Sequence, residues 1–310
     1  MHRIVCGLCL LLLLVPLGAV RADSGNDGYV PVQKLLDLSG LAWLGGDRFL
    51  AVHDAKNPDE PDRVRVSFLK LPQSLDGVLW KPLDVQFPDG ASSDLESAAA
   101  VPGTGQVLLV ESGDDASDYQ RIFLADVNDA GLSVTGTVKW GAFDSAYNVE
   151  ASAVVGQDGG YRFLWAERNS GKQSTAIQWA AMTLSPFQIG PTLGEVTFTL
   201  PPAFVDANGK PLYSRPVVGL DVAGDGQVYA VAAYDPEGVV ANPDNGPFRS
   251  VVLKIGTMGA DGLVLDEAPA VIAEVDGFKT ESVVAAGEPP QLFIGTDDEN
   301  YGGVLRPLLP

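Results

Sequence analysis

Three stretches of this 310-residue chain carry a glutamate at their third position and then run into small apolar residues: "DLESAAAV" from Asp94, "NVEASAVV" from Asn148 and "KTESVVAA" from Lys279. A run of Ser, Ala and Val belongs in a crowded interior, so a carboxylate recurring at its head needs a common cause. Two degenerate copies, "LSGLAWL" from Leu38 and "VVGLDVA" from Val217, fit the same frame. One position is then held in turn by Ser39, Glu96, Glu150, Val218 and Glu281, at steps of 57, 54, 68 and 63 residues. A recurrence of that length, headed each time by one small-residue strand, points to a ring of β-sheet blades, for which repeats of about 40–50 residues are common.

Each period divides into strand-like runs. The second copy reads "LESAAAV", "QVLLVES", "QRIFLADV" and "LSVTGTVKW", and the third and fourth divide the same way. Segments of helical period are scarce, and Gly and Pro are spread through the chain. The fifth copy lacks a fourth run, while "YVPVQKLL" from Tyr29 precedes the first. The expected fold is therefore all-β, a β-propeller of five four-stranded blades. The segment near Tyr29 to Leu36 would close the last blade by pairing near Val304 to Leu308, which removes an open edge. Six blades are the alternative, but no sixth inner strand can be found. A β-sandwich would not place an acid at one recurring register.

The first residues read as an export signal: Arg3 for the basic end, an apolar run from Ile4 to Val15, and Val20-Arg21-Ala22 as the cleavage site. The run is shorter than the roughly 20 residues that span a bilayer. Residues 1–22 are thus expected to be a signal peptide and 23–310 a single exported domain, periplasmic or secreted, monomeric and without a membrane span. Loss of the leader removes Cys6, Cys9 and His2, leaving His53 as the one histidine. Disulfides, thiolate chemistry, iron–sulfur clusters and Cys/His zinc sites are excluded from such a domain. A net charge of −20, more negative still without Arg3 and Arg21, repels nucleic acid and anionic lipid and attracts cations.

Inner strands of a propeller converge on a central channel, so Glu96, Glu150 and Glu281 are expected to meet at one mouth. Two carboxylates about 6 Å apart repel by roughly 3 kcal/mol at an effective dielectric near 20. A bound cation or a retained proton relieves this. Oxygen-only donors favour calcium, held by Glu96, Glu150 and Glu281 with Asp94 and Asn148, which lie two residues earlier on the same strand face in two of the copies. A hydrated mouth without metal is the alternative. The second strands end in "AVHD", "LVES", "WAERN", "AAYD" and "GTDD", which would gather Asp54, Glu111, Glu167, Asp235 and Asp297 on the same face. Glu111, Glu167 and His53 are the candidate general bases, although alternation along the strand turns His53 away if Asp54 faces the channel. Arg121, Lys279 and Arg168 are the candidate substrate-binding cations, with an Arg121–Glu111 pair as the structural alternative. No Gly-x-Ser-x-Gly elbow, Walker loop or dinucleotide fingerprint occurs. The calcium-loop-like "DVNDAGLSVTGT" ends on Thr137 where a Glu is needed.

The phrases "DLESAA", "NVEASA" and "TESVVA" resemble those of exported phytase-like and esterase-like propellers. The polar-small step opening each inner strand resembles the gluconolactonase, strictosidine-synthase and paraoxonase group. The resemblance implies a channel calcium on Glu96, Glu150 and Glu281, with Ser39 and Val218 departing from the pattern. It also implies a metal-dependent hydrolase of an ester, lactone or phosphoester, taking a small-molecule substrate. The alternative is a non-catalytic propeller whose ion is structural and whose loop face binds a protein or glycan.

Overall fold

The computed structural model describes residues 27–308 apart from 57–59, 61, 72–76, 114–118, 143–147, 158, 211 and 235–245. The proposed leader and Asp235 lie outside the described residues. Five antiparallel sheets follow one another along the chain. The first contains β1 (Val30–Val32), β2 (Gly40–Gly45), β3 (Arg48–Val52), β4 (Val66–Lys70) and β5 (Val78–Leu83). The second runs β6 (Leu95–Ala100), β7 (Gln106–Glu111), β8 (Arg121–Val127) and β9 (Leu132–Lys139). The third comprises β10 (Val149–Gln157), β11 (Gly160–Glu167), β12 (Ser174–Leu184) and β13 (Phe187–Thr199). The fourth holds β14 (Arg215–Val222), β15 (Gln227–Tyr234), β16 (Arg249–Gly259) and β17 (Gly262–Asp276). The fifth has β18 (Thr280–Ala286), β19 (Gln291–Thr296) and β20 (Leu305–Pro307). The inner strands β2, β6, β10, β14 and β18 each contact the next, and β18 contacts β2. The molecule is a five-bladed propeller.

The small-residue texture of the inner strands has a steric cause. A Cβ on Gly40 would lie 2.7 Å from the backbone of Ser97 and Ala98, and one on Gly219 would lie 2.6 Å from the Glu281 carbonyl oxygen. Inner strands pass too close there for any side chain. Outward from the channel the blades diverge and larger residues fill the wedges. Five apolar clusters result, one at each interface between neighbouring blades. Trp140, Phe163 and Trp165 build the wedge between the second and third blades, with ring centroids 5.5–5.8 Å apart. Phe49 and Phe293, 4.9 Å apart, close the ring between the fifth blade and the first.

Closure differs from the expectation in one respect. The strand Val30–Val32 adds to β5 of the first blade, with Val30 opposite Trp80 and Val32 opposite Val78. The last blade keeps three strands. The segment reaches that blade without forming a strand: Lys34 Nζ donates to the Asn300 carbonyl (2.9 Å), Leu35 bridges to Gly303, and the Leu38 amide donates to the Thr296 carbonyl (2.9 Å). Three-residue β20 ends on Pro307 and offers little edge for a fourth strand, whereas Val78 and Trp80 give Val32 an apolar surface to cover. The N-terminal segment therefore lies across the seam between the two blades. Among the described residues no helix is long and apolar enough to cross a membrane.

Candidate functional site

Each ring glutamate sits on an irregularity of its strand. Pairing of β6 with β7 slips between Leu95 and Ser97, that of β10 with β11 between Val149 and Ala151, and that of β18 with β19 between Thr280 and Ser282. Glu96, Glu150 and Glu281 are thus the extra residues of three equivalent β-bulges, a device that re-aims a side chain out of the regular alternation. Two residues before the bulge, Asp94 and Asn148 have φ of 59° and 55°, a left-handed turn that these two residue types tolerate well. The carbonyls of Asp94, Asn148 and Lys279 each accept from an amide at the end of the second strand, those of Ser112, Arg168 and Asp297, all at 2.9 Å. One local structure is built three times.

That structure fixes which acids face the channel. Glu111 and Glu167 are equivalent to His53 and Thr296, while Asp54, Ser112, Arg168 and Asp297 form the next column. Glu111 is fully buried in its own blade, where it holds Arg121 through contacts at 2.9 and 2.7 Å and accepts from the Ser93 amide. Arg121 also donates to the Pro88 and Ala91 carbonyls. This pair is structural, and neither member reaches the mouth as a base or a substrate clamp. His53 is likewise enclosed: Nδ1 donates to the Asp37 carbonyl (2.6 Å) and Nε2 accepts from Ser67 Oγ (3.0 Å). Burial pushes its pKa down to about 4, so it is a neutral packing residue at physiological pH. Glu167 ends β11 half-buried, and Thr175 Oγ1 donates to its carbonyl.

At the mouth itself the acids are interleaved with bases. Arg168 Nε lies 2.9 Å from Glu150 Oε1. The Asn148 amide, in the orientation that pairs both its atoms, donates to Glu150 (3.1 Å) and accepts from Arg168 Nη2 (3.0 Å). Lys279 meets Glu281 and Asp297 at 3.2 Å each and also contacts Glu299, while Arg215 approaches Glu281 at 3.4 Å. Lys56 pairs with Asp94, and Arg63 joins Asp37 (3.0 Å) to Asp54 (3.3 Å). Arg63, which precedes the third strand of its blade, pairs with the acid at the end of the second, whereas Lys56 and Arg215 carry no sequence signal of spacing to their acids. Of these two, Arg215 is the one a reader of sequence could have found by position, because it opens the inner strand of the blade whose ring position is the uncharged Val218.

Glu96 is the exception. It makes no ion pair among the described residues and keeps part of its surface accessible. Burial, and after it the charges of Glu150, Asp94, Glu281 and Asp54, push its carboxyl well above the usual carboxylate range. Burial also raises Glu281, helped by Asp297 and Glu150 and opposed by Lys279 and Arg215. Against the cost of burial, Lys279 holds Asp297 below the usual range. Asp37 rises to about 7 through burial and the Asp297 charge. Lys279 is held protonated by Glu281 and Asp297 although burial works the other way. The mouth therefore combines both remedies for crowded carboxylates: fixed cations supplied by the chain, and carboxyls that retain a proton.

The calcium ligand set is only partly assembled by this geometry. Glu150, Glu281, Asp94 and Asn148 each face a basic side chain of the protein, and no three His, Cys, Asp or Glu among the described residues stand as a ligand group. Buried oxygens without hydrogen-bond partners do lie near the mouth, namely Ser39 Oγ and Asp37 Oδ1. A cavity of about 870 Å3 lies not here but at the opposite end of the channel.

The fold is shared widely. A thermostable family-43 glycoside hydrolase superposes with a TM-score of 0.51 at 12% identity, covering 91% of this chain and 95% of the other. An α-L-arabinofuranosidase from Lactobacillus brevis gives 0.49 at 12% identity over 90% and 94%. A chain of the nidogen/laminin complex gives 0.41 at 13% identity over 89% and 76%. At such identities the likeness is one of fold alone. No protein-family model matches the chain, and no curated protein matches it.

Proposed function

We propose that this chain is a hydrolase whose reaction takes place at the acidic mouth, with Glu96 as proton donor and Glu150 as the base that activates water. One observation carries the reading: a partly accessible carboxyl that forms no ion pair among the described residues stands beside a carboxylate fixed by Arg168 and Asn148. A carboxyl that burial favours in its protonated form, next to a second carboxyl group fixed by a cation, can divide acid and base roles with it. Water would attack the scissile centre as Glu150 takes its proton, and Glu96 would protonate the leaving oxygen as its bond breaks. Solvent then returns Glu96 and Glu150 to their starting states. The lysines and arginines at the mouth are already engaged with carboxylates, which disfavours a phosphoester and favours an uncharged ester, lactone or glycosidic bond. A family-43 glycoside hydrolase is among the structures of similar fold, which makes a glycoside a natural member of the substrate panel.

A calcium-assisted version of the reaction is the second reading, favoured by the unpartnered oxygens of Ser39 and Asp37. Glu96 with those oxygens would hold the ion, which would supply charge stabilisation for a developing oxyanion. The test is a panel of chromogenic esters, lactones, glycosides and phosphoesters assayed with wild type, Glu96→Gln and Glu150→Gln, with and without chelator. Acid/base chemistry predicts loss of about a hundredfold or more in kcat for either variant and indifference to chelator. Loss of activity on chelation selects the calcium reading. Turnover unaffected by both substitutions would refute the site, and no turnover of any substrate would favour a binding protein.

A further inference from the structure

The opposite mouth of the channel opens into a funnel of about 870 Å3, reached by the C-terminal ends of all five inner strands. Its wall is mostly small and apolar, with residues such as Leu41, Ala98, Ala100 and Val154. Four charged side chains line it: Arg48, Asp129, Asp221 and Glu288. Arg48 Nη1 is bound to Asp129 Oδ1 at 2.6 Å, which ties the first blade to the second and leaves no free cation among the described lining residues. Asp221 is the singular residue. Three positions beyond the ring residue, the other inner strands carry Ala42, Ala99, Ala153 and Val284. Only the fourth blade, which lacks a ring glutamate, places an acid inside the small-residue barrel.

The carboxyl is held in position. Its Oδ2 accepts from the Ala285 amide of the neighbouring inner strand at 2.7 Å. Glu288 lies across Gly224, where a Cβ would come within 1.9 Å of its Oε1, so the glycine is what lets this second acid fold over the rim. An apolar cavity with a few convergent polar groups is the general form of a small-ligand site. Here the unbalanced groups are both acids, in a chain of net charge −20.

We infer that the funnel is a second binding site, separate from the acidic mouth, for a small organic cation with an apolar body. Its ammonium would pair with Asp221 and Glu288, and its hydrocarbon would cover the alanine and valine wall. An anion would meet two uncompensated carboxylates, and a neutral ligand would strip water from Asp221 without replacing its hydrogen bonds. Burial raises Asp221 to about 7, against the backbone bonds from Ala285 and Val222 that lower it. A bound cation favours the carboxylate form, so binding releases a proton and tightens as pH rises through neutrality.

Isothermal titration of the intact protein with phenethylamine, phenethyl alcohol and phenylacetate tests this. The expected order is amine above alcohol by about tenfold or more, with phenylacetate weakest. Amine affinity should rise from about pH 6 to about pH 8 while that of the alcohol does not. Asp221→Asn, which can still accept from Ala285, should bring the amine down to the alcohol's level, and Ala100→Phe, which fills the funnel, should abolish both. Equal binding of amine and alcohol, amine binding unchanged in both variants, or no binding of the amine would each overturn the proposal.

Discussion

His53 shows how completely one residue's surroundings decide its role. Both ring nitrogens are committed, Nδ1 to the Asp37 carbonyl and Nε2 to Ser67 Oγ, and the imidazole has no accessible surface. Its folded pKa of about 4 lies below the ordinary value of 6.5. Between those values the unfolded chain binds a proton that the native state refuses, so stability falls as pH drops from 6.5 towards 4, at up to about 1.4 kcal/mol per pH unit from this group. Asp37, raised to about 7, acts with the opposite sign, because there the native state holds the extra proton and loses stability as pH rises. Urea melts of His53→Asn against wild type isolate the first effect. The variant should be weaker at neutral pH yet lose less than wild type between about pH 6.5 and 4, and parallel pH profiles would contradict a neutral buried histidine. Arg121 makes a companion case. Arg121→Met should destabilise by about 3–5 kcal/mol by leaving Glu111 buried and charged. Adding Glu111→Leu should recover a large part of that loss, and a double mutant no better than the single would contradict the pairing.

At the scale of elements, the period gave away the inner strands and most of the second and third, because alternating apolar residues and small-residue heads repeat where geometry repeats. What the sequence concealed was the bulge. A single extra residue at Glu96, Glu150 and Glu281 changes which neighbour faces the channel, so the ends of the second strands read one residue early at Glu111 and Glu167 and correctly at Asp54 and Asp297. Bulges leave no compositional trace, although the adjacent Asp94 and Asn148, both suited to the left-handed region, are a hint. The basic partners were hard to see for another reason. Lys56 and Arg63 lie in the loop between β3 and β4 and Arg215 at the head of an inner strand, and only the folded ring brings them to the acids. Two consequences can be measured. Gly40→Ala should cost about 1–3 kcal/mol through contact with the Ser97–Ala98 backbone, while Gly105→Ala, which meets only the Val127 oxygen at 3.6 Å, should not. Removing residues up to Leu36 should strip β1 from β5 and the Leu35 bridge from Gly303, lowering thermal stability and exposing an edge that promotes aggregation. A truncated protein with the parent's melting temperature would show the segment to be dispensable.

Across the whole molecule, the ring solves a single electrostatic problem. Five strands brought together at their heads must either keep acids apart or neutralise them, and this chain sets Lys56, Arg63, Arg168, Arg215 and Lys279 among its carboxylates. The balance is incomplete at Glu96, which forms no ion pair among the described residues and whose carboxyl burial and neighbouring acids push towards the protonated form. The carboxyl titration of protein labelled with carbon-13 at the glutamate side-chain carboxyl, followed by NMR with and without calcium, reads this directly. The account predicts a glutamate resonance with a midpoint well above the ordinary value of about 4.3, present in wild type and missing in Glu96→Gln. Calcium should leave that midpoint in place if the protein's own cations and a proton balance the mouth, and should lower it if the ion binds there. A wild-type protein in which every glutamate titrates near its ordinary value, with Glu96→Gln removing only one such signal, would contradict the account.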